Sequence, residues 1–119
     1  MSETTQPAPS AAVDSSRPNS ARVWNYWQGG KDNYEADRAI GDWIARNCPL
    51  IVEMAHEAQG FTTRAVHYLA CEGIEQYIDI GCGIPAGPAI HEMAGTAARA
   101  VYVDVDPRSE EHTSELQSL

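Results

Sequence analysis

Over residues 21–72 apolar side chains return every three or four positions, and from residue 76 onward they run in short, nearly unbroken stretches. That change of period predicts a helical front followed by strands. Val23, Trp24, Tyr26 and Trp27 fall in a helical turn over 21–28, with Asn19 or Ser20 as its cap and Gly29-Gly30 as its stop. Ala36, Ala39, Ile40, Trp43 and Ile44 recur at i, i+3, i+4, i+7 and i+8, one face of a second helix. Asp32 or Asn33 is its expected cap, and Pro49 interrupts it. Ile51, Met54, Ala55 and Ala58 repeat the spacing up to Gly60, read as the end of that segment. Phe61, Ala65, Tyr68 and Leu69 give a further stripe that stops near Gly73.

Gln76 to Ile80 reads as a short strand, and Gly81 to Gly87 as a glycine-rich loop. Pro88 suits the first turn of a helix reaching about Ala94. Residues 100–105, AVYVDV, form an apolar run of the kind found in strands buried on both faces of a parallel sheet. The nineteen residues from 81 to 99 suffice for a loop, a short helix and a return, with a right-handed crossover favoured. The expected class is α/β.

Both ends depart from these patterns. Residues 1–20 are mostly Ser, Thr, Pro and Ala with Val13 as the one large aliphatic, so a disordered tail is expected. Arg108 to Leu119, RSEEHTSELQSL, abandons the apolar pattern. Through Ser118 it resembles, residue for residue, the translation of a common short-read sequencing adapter. It is therefore read as foreign, with the native sequence cut at Pro107. The expected organisation is a tail at 1–20, a helical segment at 21–75, the start of a nucleoside-binding βαβ unit at 76–107, and the foreign segment at 108–119.

The 119 residues suffice for one small domain. Seventeen acids against eight bases give a net charge of −9, which argues against binding a nucleic-acid backbone. No apolar run approaches the roughly 20 residues that span a bilayer, and no secretory signal opens the chain. Cys48, Cys71 and Cys82 include no CxxC pair, so neither a disulfide framework nor a zinc site is expected, and a reducing cytoplasm is the default.

The chemistry concentrates around the loop. Gly81 and Gly83 allow a sharp turn at a strand end and let a ligand lie against bare backbone. Asp104 follows Gly83 by 21 residues, at the end of the next strand, where a carboxylate can accept both ribose hydroxyls of an adenosine. A tight turn with Asp104 as a loop cap is the competing reading. A dinucleotide would favour GxGxxG, but here the third glycine is displaced to Gly87 and Pro85 occupies the region of close approach. Asp79, two residues before Gly81, suits a cationic ligand better than a pyrophosphate. S-adenosylmethionine, with an ammonium, a sulfonium and no phosphate, fits that charge better than NAD.

Asp79-Ile80-Gly81-Cys82-Gly83 resembles the first motif of class I S-adenosylmethionine-dependent methyltransferases. More narrowly, ARVWNYWQGGKDNY at 21–34 resembles the opening of a bacterial family of S-adenosyl methyltransferases. Asp37-Arg38, Arg64-Ala65-Val66, Gly81 to Pro85, His91-Glu92 and Val103 to Pro107 also fit its pattern. The resemblance implies a Rossmann-like class I methyltransferase fold with an N-terminal helical cover, cut after its second strand and inactive as it stands. It also implies a site of Asp79, Gly81, Cys82, Gly83 and Asp104, in which the loop cradles the methionine end and Asp104 the ribose. It names neither a catalytic residue nor an acceptor. Ala58-Gln59 replaces the family's usual Asn-Arg pair, and Ala86 and Ala89 replace a loop threonine and a helix asparagine.

Other motifs are weaker. His91-Glu92 lacks the second histidine of HExxH, since position 95 is Gly95, and no metal is expected. His67 and Cys71 supply only two ligands. Trp24, Tyr26 and Trp27 read as core before stacking platforms, and Lys31 as a surface lysine or a substrate contact. An NAD-dependent oxidoreductase fragment and a small non-enzymatic binding module are the alternatives.

Overall fold

The computed structural model describes residues 12–104. Their elements, in chain order, are α1 (Ser20–Trp27), α2 (Glu35–Asn47), α3 (Ile51–Cys71), β1 (Gln76–Ile80), α4 (Ile90–Ala94) and β2 (Arg99–Val103). The readings of residues 1–11 as tail and 108–119 as foreign sequence lie outside the described residues.

The caps explain where the helices begin. The Asn19 side chain accepts the N–H groups of Ala21 and Arg22 at 2.9 and 3.3 Å, and Ser20 is already inside α1. At α2 neither Asp32 nor Asn33 caps. Asp32 donates its N–H, and Asn33 its amide, to the Asn25 side chain, so both belong to the preceding turn. The Tyr34 N–H is taken instead by Asp37, three residues into the chain ahead, at 2.9 Å. Gly60 does not end a helix, because α3 runs unbroken for 21 residues. One glycine costs about 1 kcal/mol inside a helix, too little to break one that packs against α1, α2 and α4.

Of the expected tail at 1–20 the structure describes residues 12–20, and its C-terminal end makes specific contacts. Asn19 is buried, and the Arg22 guanidinium donates to the carbonyls of Arg17 at 2.7 Å and Asp14 at 3.3 Å. Polar composition hides this order because backbone carbonyls, rather than apolar side chains, hold the segment. The same arginine pairs with Asp37 at 2.7 Å, with Arg22 4% and Asp37 0% exposed. Asp37 also accepts the Asn19 N–H at 2.9 Å.

Val23, Trp27 and Ala55 form the core of the helical front, flanked by Tyr26, Ile40, Ile44, Ile51 and Val52. The α1–α2 contact closes over Gly41, whose carbonyl accepts the Trp27 indole N–H at 3.2 Å. A Cβ on Gly41 would lie 2.9 Å from the Tyr26 ring, itself tied by its hydroxyl to Asp42 at 2.7 Å. A Cβ on Gly60 would meet only the mobile end of Arg64, at 3.1 Å. Two helix glycines therefore answer the same change with opposite sign. Gly60→Ala should stabilise the chain by about 0.5–1 kcal/mol. Gly41→Ala should destabilise it by about 1–3 kcal/mol through overpacking. Thermal melts of the two variants check the pair, and a stabilised Gly41→Ala would refute the close α1–α2 packing.

β1 and β2 pair in parallel, with Gln76 opposite Arg99 and Ile80 opposite Val103. The crossover helix α4 begins at Ile90, two residues after Pro88, with the Ala89 N–H accepted by Glu92 at 2.8 Å. β2 covers 99–103 and stops before Asp104. Burial on both faces is not observed. Tyr77, Asp79, Ala100 and Tyr102 are half-buried on the face that α4 covers, where the Tyr102 hydroxyl meets His91. Ile78 and Ile80, 70% and 79% exposed, share the opposite face with exposed Val101 and Val103. Among the described residues no helix packs on that face.

Candidate functional site

The strand ends and the loop are joined by one carbonyl. The Val103 C=O accepts the N–H groups of Gly81 at 2.6 Å and Cys82 at 3.3 Å. The loop therefore turns back over the end of β2, and Asp104 leaves that strand beside it. Gly81 and Gly83 have φ of +71° and +59°, a region that side chains disfavour. Nothing lies within 4 Å of the position a Cβ would take on Gly81, so the backbone there faces open space.

The sequence-derived residues converge. Cys82 is half-buried, and burial pushes its thiol up, with the charges of Asp79 and Asp104 adding to the shift. Both carboxylates thus act on one sulfur at the loop, and a thiol held protonated is a poor nucleophile. Burial also raises the Asp79 carboxyl above its ordinary value. An acid that is costly to ionise in its site is stabilised by a cation placed against it.

The helical front reaches the same loop through contacts that the apolar spacing did not indicate. The Asn25 amide of α1 donates to the Pro85 carbonyl at 3.3 Å. Ala21 stands 3.7 Å from where a Gly83 Cβ would be, and Gln59 of α3 would lie 2.6 Å from one on Gly87. Of the noted replacements, Gln59 therefore abuts the loop directly, while Ala58 is exposed on α3. The signal for Asn25 was present as the polar position in an otherwise apolar VWNYW run.

Weaker candidates resolve into structural roles. His91 Nδ1 lies 2.8 Å from the Tyr102 hydroxyl, linking α4 to β2. Trp27 is core, while Trp24 meets it edge-on at 5.4 Å and is partly exposed. Lys31, His67 and Cys71 are exposed. Among the described residues no group of three or more His, Cys, Asp or Glu is placed to hold a metal ion, and no helix is long and apolar enough to cross a membrane.

The profile of the S-adenosyl methyltransferase family matches residues 6–118, bounds that take in most of the C-terminal segment. The chain belongs to the S-adenosyl methyltransferase family. Two crystal structures agree. A protein from Thermobifida fusca YX assigned as a methyltransferase is 40% identical, with a TM-score of 0.78 over 91% of this chain and 42% of its own. A DUF574 family protein from Streptomyces avermitilis MA-4680 is 42% identical, with a TM-score of 0.74 over 81% of this chain and 38% of its own. The chain thus spans about two fifths of the length of these relatives. No curated protein sequence matches significantly. The helices and parallel strand pair are consistent with an α/β methyltransferase fold.

Proposed function

We propose that this chain carries part of the donor site of a methyltransferase that uses S-adenosylmethionine, formed by Asp79, Gly81, Cys82, Gly83 and Asp104. One observation carries the reading: the Val103 carbonyl gathers the positive-φ loop and the start of Asp104 at one end of the sheet. In this arrangement the loop backbone receives the methionine end, Asp79 faces its ammonium, and Asp104 accepts the ribose hydroxyls. The Cys82 thiol, pushed up by burial and by the charges of both acids, supplies a neutral group at the loop. When bound, S-adenosylmethionine supplies an electrophilic methyl, and the chain contributes binding and orientation. No side chain is assigned as a base, and the acceptor is left open. A reducing cytoplasm is the proposed place of action, on the cysteine spacing of the sequence.

Calorimetric titration with S-adenosylhomocysteine, and with NADH as the competing ligand, tests the reading. Binding of the first and not the second is expected, and the reverse would defeat it. The pH dependence sharpens the test. The ammonium pairs with the ionised form of Asp79, so affinity should hold at neutral pH and fall as pH drops through the raised Asp79 titration. Asp79→Asn should flatten that slope and weaken binding at neutral pH by about tenfold or more. The sign for folding is the opposite. With a folded value above the unfolded one, Asp79 favours the folded state at acid pH, and that contribution is lost as pH rises through the folded value.

A further inference from the structure

We propose that Asn25 is a positioning residue of the donor site, fixing the glycine-rich loop and the Gly29–Asn33 turn against each other through one side-chain amide. The inference rests on the donor-site reading above and assigns to the helical front a share in it. Asn25 sits in α1 with 0% exposure. Its Oδ1 accepts the Asp32 N–H at 3.0 Å and the Asn33 amide at 2.9 Å, while its Nδ2 donates to the Pro85 carbonyl at 3.3 Å. The orientation of the amide is set by chemistry, because Pro85 offers only an acceptor and Asp32 only a backbone donor.

Two further features show that this amide is built in. Gly30 has its N–H on the Asn25 carbonyl at 2.8 Å, and any Cβ there would fall within 2.3–2.6 Å of the Asn25 amide atoms. The second glycine of Gly29-Gly30 thus leaves room for that side chain. On the other side, the loop has Ala21 against Gly83 and Gln59 against Gly87, so α1 and α3 flank it at both glycines. Asn25 bonds the carbonyl between those two points. A ligand laid against bare backbone depends on where that backbone is held, and Asn25 holds it without needing to touch the ligand.

The test uses the full chain and two variants. Asn25→Asp keeps the size and the Oδ1 acceptor, but an ionised carboxylate cannot donate to Pro85. Gly30→Ala leaves Asn25 unaltered and displaces its amide by collision. It reads the same contact if a buried aspartate prevents folding. Amide exchange over residues 81–87 and S-adenosylhomocysteine affinity are measured together. The expected result is faster exchange in the loop, unchanged exchange in α2 and α3, and affinity weaker by about 3- to 10-fold. Unchanged loop exchange in a folded variant, or loosening spread evenly over α2, α3 and the loop, would overturn the proposal. A wild-type chain that fails to bind S-adenosylhomocysteine, while the variants still loosen the loop, would overturn the donor-site reading and leave the Asn25 contact standing.

Discussion

Asp37→Ala should unfold the chain or lower its stability by about 3–5 kcal/mol. The carboxylate is fully buried. It holds the Arg22 guanidinium at 2.7 Å, the Asn19 N–H at 2.9 Å and the Tyr34 N–H at 2.9 Å. Its removal strands the charge of Arg22, which is 4% exposed and packed over the Tyr34 ring at 5.2 Å. It also removes the acceptor that Asp37 offers to the Tyr34 N–H at the start of α2 and to the Asn19 N–H just before α1. Urea denaturation gives the magnitude. The exposed Arg64–Glu57 pair at 3.9 Å is the internal contrast, and Glu57→Ala should leave stability nearly unchanged. A small effect at Asp37 would show that water enters the site and that the front is held by apolar packing alone. Replacing Arg22 and Asp37 together by apolar residues should cost less than losing either one, since no charge is then left behind.

Asp104→Ala should weaken S-adenosylhomocysteine binding about 10- to 200-fold. Hydrogen bonds to a charged group contribute ~1.5–3 kcal/mol, and ~1.4 kcal/mol is a factor of ten. Asp104 stands one residue beyond the carbonyl that anchors Gly81 and Cys82, at the end of a strand in register with β1. Its charge also bears on the Cys82 thiol. The substitution should therefore lower the thiol's titration while it weakens the ligand, and both can be followed in one sample. Equal affinities for wild type and variant, with the melt unchanged, would remove the ribose role. A drop in the thiol titration alone would place Asp104 near Cys82 but away from the ligand.

Much of the architecture was legible because it is carried by period. The limits of β1, the interruption at Pro49, the stop at Gly73 and the sheet crossover all follow apolar spacing or glycine and proline chemistry. Gly60 misled for a physical reason: a glycine's cost is local and small, whereas the packing of α3 against three other helices is not visible in a window around it. Burial on both faces was wrongly expected for β2 because an apolar run records what a strand can bury. It does not record what packs on it. The glycine loop and the two acids were legible as a motif. Arg22, Asn25 and Asp37 were noticed only as parts of a family pattern. Their roles depend on bonds spanning 15 to 60 positions, Arg22 to Asp37 and Asn25 to Pro85, and periodicity does not register polar anchors of that kind.

The bare face of the sheet sets the colloidal behaviour of the chain. Ile78, Ile80, Val101 and Val103 offer a branched aliphatic surface beside strand edges, while a net charge of −9 keeps copies apart. These two influences respond differently to salt. The repulsion reaches tens of ångströms in dilute buffer and only about 8 Å at physiological ionic strength, while attraction between apolar faces persists. Dispersion of this chain should therefore depend on its acidity as well as on this exposed face. Dilute buffer and a pH well above the sequence pI of about 4.7 are the conditions that favour single molecules over clusters.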